Sequence, residues 1–531
     1  MGKIHRTMNQ SSEIRLGLCA DIIDARNYQN AVRSFRENRI ALPTFAELAN
    51  PKLALPFALN NNNNNVLSVD DPDTPDPRNL WRVNWYNAAD RKSRTDVPVH
   101  VILPPEFTSV KAPIVVLLGN KFPMIRTHKV LAAYACLLQR VLTGQFDPSL
   151  HRAIWPSTGN YARGGIAISR MMGCRATAVM PEGMSRERFE WLAKWTERPE
   201  DIVRTRGTES SVREVYEACK ELARDPQNIV LNQFCEFPNY LVHYFVTGPA
   251  IAAVFEHLAA QLSGRQKPRL AGFISATGSG GTIAAGDYLK ERFGAMTVAV
   301  EALECPTMLM NGYGPHNIQG IGDKHIPLIH NVMNTDIVCA ISDKATDHLD
   351  LLFNTPAGHR CLHDVMGVPR EVVRQLVNFG FSSTANVLAA IKTAKLLDLT
   401  PHDVLITVAT DGSELYPSER EKTLRRCYPA GFGERQAAEI GVRFLQSVAT
   451  DHMLQLTEFD RNRIFNLGYY TWVEQQGIAL DDFESRRKQS FWQKLRDIVP
   501  LWDERVKRFN EEAGIYSDTP NAPSASLREA R

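Results

Sequence analysis

Short, mostly apolar runs recur along the middle of this 531-residue chain, each followed by a polar turn and then by apolar residues at helical spacing. The runs at 114–118, 153–156, 176–180, 202–204, 229–232, 271–275, 297–300, 337–340 and 404–409 have the length and bounding of buried strands. Helical periodicity lies between them, at 129–138, 162–172, 185–196, 211–224, 248–263, 283–292, 343–354 and 385–397. Strands alternating with helices imply mostly parallel sheets covered on both faces. The predicted fold class is α/β, with two three-layer domains. Ligand is expected between them, where the strands end.

The flanks read differently. Residues 81–86 and 97–103 read as strands leading into a core that spans 80–419. Residues 1–79 hold one helical pattern at 25–37, a Pro-spaced stretch at 42–57, a run of six asparagines at 60–65 and an acidic, Pro-rich patch at 70–78. The asparagine run is too polar to pack and reads as a flexible loop. We expect this arm to wrap the core or a dimer partner rather than form a separate ligand-binding domain. From 420 to 515 the pattern is helical, at 434–448, 451–460, 462–476, 481–499 and 501–513. The aromatics Phe465, Tyr469, Tyr470, Trp472, Phe483, Phe491, Trp492 and Trp502 give it apolar faces to bury. An all-helical extension is expected there, packed on the core over the mouth of the site or a subunit interface. The tail 516–531 is expected to be disordered.

Composition narrows the function. The formal charge is +2, so no basic field points to nucleic acid. No apolar run approaches the ~20 residues of a membrane span. The chain starts with polar residues and lacks a hydrophobic signal core. Nine singly spaced cysteines fit reduced thiols in the cytoplasm and give no zinc spacing. His316 and His325 lack carboxylate partners at ligand spacing, so no metal is assigned.

Four loops carry candidate chemistry. Ser157-Thr158-Gly159-Asn160-Tyr161 joins a strand to a helix start, where free N–H groups bind anions. Gly278-Ser279-Gly280-Gly281-Thr282 does the same after another strand and suits a phosphate, although it matches neither the Walker nor the dinucleotide spacing. Lys129 opens a helix, where the dipole disfavours a cation. A lysine there is either solvated or altered by chemistry such as a Schiff base. His128 beside it reads as a proton relay or a helix cap. Thr410 ends the last predicted strand. The charge-rich stretch 186–224 reads as solvated helix faces with no site role.

Taken in order, Lys129, the Ser157–Tyr161 turn, the Gly278–Thr282 loop and Thr410 resemble fold-type II pyridoxal-phosphate enzymes, above all cysteine synthase (O-acetylserine sulfhydrylase), with tryptophan synthase beta-like proteins as wider kin. Gln233-Phe234, Gly314-Pro315-His316-Asn317-Ile318-Gln319-Gly320-Ile321-Gly322 and Phe381-Ser382-Ser383-Thr384-Ala385-Asn386 resemble further segments of that family. The resemblance implies pyridoxal 5′-phosphate as cofactor and Lys129 as the catalytic lysine that carries it. It implies Asn160 beside the pyridoxal 3′-oxygen, Gly278, Ser279, Gly280, Gly281 and Thr282 around the phosphate, and Thr410 facing the pyridine nitrogen. It implies Ser157, Thr158, Tyr161 and Gln233 on the substrate carboxylate. The implied reaction is β-replacement or β-elimination on a small amino acid, by a cytoplasmic homodimer. A deaminase or desulfhydrase of the same fold and a catalytically silent relative are the alternatives. Three positions depart from the family: Tyr161 replaces a small hydroxyl residue, Thr384 a glycine, and Arg126-Thr127-His128 the usual small-residue approach to the lysine. The expectation is that Tyr161 crowds the space beside the substrate carboxylate.

Overall fold

The computed structural model describes residues 8, 10–53, 71–261 and 267–515. Residues 54–70, with the asparagine run, and the tail 516–531 lie outside the described residues. Eleven strands are described: β1 (His100–Leu103), β2 (Ile114–Leu118), β3 (Arg152–Pro156), β4 (Arg175–Pro181), β5 (Ile202–Thr205), β6 (Asn228–Val230), β7 (Arg269–Ala276), β8 (Met296–Ala302), β9 (Ile337–Ile341), β10 (Asp403–Ala409) and β11 (Met453–Gln455). They form a seven-stranded sheet, β1-β2-β10-β7-β8-β9-β11, and a four-stranded sheet, β5-β4-β3-β6. All pairings are parallel except at the two edges of the larger sheet, where β1 lies antiparallel to β2 and β11 to β9. The central strands β2, β9 and β10 are buried along their whole length, which is why they read as unbroken apolar runs.

The chain enters the large sheet at β1 and β2, crosses to build the small sheet, and returns at β7. β10 then inserts between β2 and β7. As a result the loops after β2, β3, β7 and β10, which carry the four candidate motifs, all leave the carboxyl ends of parallel strands.

Several elements differ from the sequence reading. Residues 81–86 are not a strand. A 3-10 helix, Pro77–Arg82, forms there because the Asp76 side chain accepts from Arg78 N–H and Pro77 starts the turn. Trp81 and Trp85 alternate with polar residues, yet both are anchors in the core. Phe237–Gln261 is one continuous helix, long and apolar enough by length and composition to cross a membrane. It is the described helix that most departs from the sequence reading, and two-thirds of its most apolar window is buried against the protein's own core. A widened turn at His243–Thr247 carries it past Gly248-Pro249, where the sequence pattern breaks. The C-terminal region is helical as expected, apart from β11. Its stretch 481–499 divides into shorter helices, Leu480–Ser485, Gln489–Leu495 and the start of Ile498–Glu512.

Both ends of the described chain pack on the helix Lys129–Leu142. Tyr28 and Phe35 of the helix Ala25–Glu37 meet Phe509 edge-on, with ring centroids 5.7 and 5.2 Å apart. Asn510 and Leu42 exchange hydrogen bonds of 3.0 and 2.9 Å. The C-terminal helices also hold the segment after Ile321. Trp472 Nε1 donates to the Ile326 carbonyl at 2.7 Å, Arg486 to the Leu328 carbonyl at 2.7 Å, and Gln489 pairs with Asn331 at 2.9 and 3.0 Å.

Candidate active site

One cavity gathers all twelve residues singled out from the sequence: Lys129, Ser157, Thr158, Asn160, Tyr161, Gln233, Gly278 through Thr282, and Thr410. Lys129 is the first residue of its helix, and its N–H donates to Thr127 Oγ1 at 3.0 Å. Its Nζ lies 3.1 Å from Ser279 Oγ and 3.4 Å from Gln233 Oε1. Burial lowers the ammonium to about 8, against the opposing pull of Asp323 and Glu209. A buried lysine that sheds its proton near neutrality is a competent nucleophile toward a carbonyl.

The glycine loop is shaped as an anion cradle. Gly280 sits at φ +76°, a conformation that side-chain-bearing residues rarely adopt. A Cβ on Gly281 would lie 2.1 Å from Asn239 Oδ1. Among the described residues, no acceptor takes the N–H groups of residues 278–282. Those open donors, at the start of the helix Ala284–Phe293, fit a phosphate. His128 Nε2 lies 2.9 Å from Thr282 Oγ1, and its ring stacks on Trp85 at 5.3 Å. Burial lowers its pKa to about 3, so the imidazole is neutral. It makes no cap bond to the helix. The structure thus gives His128 to the loop, as a group that positions Thr282.

The turn after β3 is supported by a buried polar network. Gly159 N–H donates to Ser157 Oγ at 2.9 Å. Asn160 Nδ2 donates to Asp411 Oδ2 at 2.6 Å, and its Oδ1 accepts from Arg163 at 3.2 Å. One amide hydrogen of Asn160 remains for a ligand oxygen. Arg188, wholly buried, bonds Ser185 Oγ at 2.7 Å, Tyr416 at 2.8 Å, Asp411 at 3.4 Å, and Gln319. The reading of 186–224 as solvated holds for Arg186, Glu190 and Arg213, which are exposed, and fails for Arg188 and Glu209, which are buried. The signal was there for Arg188: it lies beside Phe189 and four residues before Leu192, on the face that packs inward. Tyr161 also departs from expectation. Its ring meets Trp155 at 5.3 Å in the core, and its hydroxyl, near Cys136 and Glu236, has no hydrogen-bond partner among the described residues. The phenol therefore turns away from the carboxylate space, because the apolar layer under β3 offers the larger volume to fill.

Some lining residues were not singled out by sequence. Ser382 borders the cavity from the start of the helix Phe381–Leu396. Asp323 lines it too, 6% exposed. Desolvation raises its carboxyl to about 7, with Lys129 pulling the other way. Glu209, 1% exposed, lies against Thr158 and Gly320, and burial keeps it well above the usual carboxylate range. His316 engages Gly322 O at 2.9 Å and Ile318 N–H at 3.2 Å, whereas His325 faces Tyr216 at 3.1 Å. These two histidines do not share a site.

A family model described as "Pyridoxal-phosphate dependent enzyme" matches residues 113–345. The "Probable cysteine synthase" of Bacillus subtilis is 30% identical over 290 residues, covering 54% of this chain and 83% of that protein. Cysteine synthase B of Campylobacter jejuni is 28% identical over 264 residues, 49% of this chain and 76% of that one. Among solved structures, a hydrogen sulfide-producing enzyme from Fusobacterium nucleatum superposes with a TM-score of 0.51 at 20% identity, over 67% of this chain and 95% of that one. Cysteine synthase from Entamoeba histolytica does so with a TM-score of 0.50 at 21% identity, over 66% and 94%. These two likenesses speak to the fold.

Proposed function

Since the chain belongs to the pyridoxal-phosphate dependent enzyme family, we propose that it catalyses a cysteine synthase-like β-replacement or β-elimination on a small amino acid. The observation that carries the reading is the single cavity that joins Lys129 to the Ser157–Tyr161 turn, the glycine loop and Thr410. The open N–H groups of residues 278–282 would hold the cofactor phosphate. The free amide hydrogen of Asn160 and the Thr410 hydroxyl would fix the ring, the latter without donating a charge to it. Ser157 and Thr158, with Gln233, would orient the substrate carboxylate, and Tyr161 would support that turn from the core. Bound there, the cofactor supplies the electron sink that makes the substrate's α-proton acidic. Lys129 would take that proton and later return it, a task suited to an amine lowered to about 8.

The assay is cysteine formation from O-acetylserine and sulfide by the cofactor-loaded protein, with pyruvate followed as the mark of elimination. A protein that takes up the cofactor and acts on neither O-acetylserine nor L-cysteine would refute the reading. We further propose a cytoplasmic homodimer. All nine cysteines are free thiols, and Met310, Tyr313, Phe459 and Tyr470 are large exposed side chains available to an interface. Light scattering at micromolar concentration tests the assembly.

A further inference from the structure

Asp323 is the single carboxyl among the described residues that line the cavity. Its Oδ1 has no hydrogen-bond partner among the described residues. Its backbone is fixed, because Thr307 Oγ1 donates to the Asp323 carbonyl at 2.9 Å. The titratable groups close enough to act on it are Lys129, Glu209, Tyr216 and Cys305. Burial raises Glu209, Tyr216 and Cys305 alike, and Lys129 is the one cation among these groups. A buried, unpartnered carboxyl that faces a reaction cavity is costly unless a ligand uses it.

Under the reading above, on which this inference rests, Lys129 serves the α-carbon, and Ser157 and Thr158 serve the carboxylate. No group in that set moves a proton at the substrate's side-chain carbon. We propose that Asp323 is a further catalytic residue, the acid–base group for what leaves and what arrives at that carbon, and that the arriving reactant is an uncharged O–H or N–H nucleophile, water being the smallest. As the bond to the leaving group breaks, the leaving group keeps the electron pair and receives the proton of the Asp323 carboxylic acid. The resulting carboxylate takes the proton of the nucleophile, whose freed electron pair forms the new bond to the same carbon. Asp323 ends as it began, and one protonated group has been exchanged for another. With its carboxyl near about 7, both forms are populated at neutral pH. An anion such as hydrosulfide needs no base and meets a carboxylate on the cavity wall.

The test uses the cofactor-loaded full chain. Serine formed from O-acetylserine in the absence of sulfide is measured from pH 6 to 8.5, alongside cysteine formed with sulfide at one pH. Wild type should form serine with a rate that rises through about pH 7. Asp323→Asn should lower serine formation at least tenfold and flatten that rise, while cysteine formation falls less than threefold, because acetate is a weak base that leaves without that proton and hydrosulfide arrives without a base. Asp323→Glu should restore part of the serine rate and its pH dependence. Equal loss of both products in Asp323→Asn, with the cofactor still bound, would show a structural role and overturn the proposal. So would unchanged serine formation, or a wild-type enzyme that holds the cofactor and makes no serine. A wild type that binds no cofactor would instead overturn the underlying reading.

Discussion

Gly281→Ala gives the sharpest test of the proposed phosphate cradle. The added methyl would lie 2.1 Å from Asn239 Oδ1 and 2.7 Å from its Cγ, where ordinary contact begins near 3.4 Å. Asn239 must therefore retreat by about 1.3 Å. It is wholly buried, and its Nδ2 donates to the Gln233 carbonyl at 2.9 Å and to Ser279 Oγ at 3.1 Å. A shift of that size breaks both bonds, and both partners belong to cavity residues. Each lost bond costs roughly 1 kcal/mol, and leaving the buried amide unsatisfied costs about 1–3 kcal/mol more, for a total of ~3–5 kcal/mol. At ~1.4 kcal/mol per tenfold, cofactor affinity should weaken roughly 100- to 4,000-fold if the whole cost falls on binding. The assay titrates cofactor into the apo-protein by its visible absorbance, with the apo melting temperature recorded to catch any share expressed as stability. Gly294→Ala is the control. That glycine is also left-handed, at φ +69°, with nothing near its Cβ. It should cost about 1–2 kcal/mol of stability and no affinity. Adding Asn239→Ala to Gly281→Ala removes the clash, so the double variant should lose less than the two single losses combined. Wild-type affinity and melting temperature in Gly281→Ala would refute the reasoning.

Further expectations follow from other parts of the site. Lys129→Ala should leave a folded protein without the cofactor's covalent visible band, and reductive trapping should label Lys129 rather than Lys121; label on Lys121 would move the site. The raised carboxyl of Asp323 means the native state holds that proton more tightly than the unfolded chain between about pH 4 and 7. Its contribution to stability is thus present in acid and lost as pH rises through about 7, so Asp323→Asn should raise the melting temperature by a few degrees more at pH 8 than at pH 5, and a pH-independent difference would contradict this. Tyr161→Phe should be neutral or stabilising, because the lost hydroxyl has no partner among the described residues; Tyr161→Thr should destabilise by about 3 kcal/mol through the cavity it opens, without redirecting specificity. Trp472→Ala removes the bond to Ile326 and should cost ~3–5 kcal/mol in denaturant melts.

What the sequence made legible follows from which forces act locally. β2, β9 and β10 are buried on both faces, so apart from Asp403 and Thr407, which find hydrogen-bond partners, their residues are apolar and the runs stand out. The helix Asp343–Asn354 was readable to the residue because its Ser342 cap and apolar stripe coincide. β11 was not readable: three residues at a sheet edge carry no period, and their pairing with β9 is set by the fold. The motif residues were legible because turn geometry and anion binding leave glycines and hydroxyls in sequence. Glu209 and Asp323 were not, and Arg188 only through its place on the helix face of Leu192, since a charged residue looks the same in sequence whether water or protein surrounds it. Their burial is decided by elements more than a hundred residues away, through Gln319 and Asp411 for Arg188.

The bonds from Trp472, Arg486 and Gln489 to residues 326–331 carry a consequence for biosynthesis. The segment that supplies Gly320, Ile321 and Asp323 to the cavity is anchored by residues the ribosome adds 140 or more positions later. Leu42 and Tyr28 wait still longer, for Asn510 and Phe509. A nascent chain cut off near residue 420 would therefore display bare apolar surface at both ends and an unbraced cavity. Chaperone capture should peak late in translation, cofactor loading should follow release, and a truncated "catalytic core" should be recovered as aggregate rather than as a smaller enzyme.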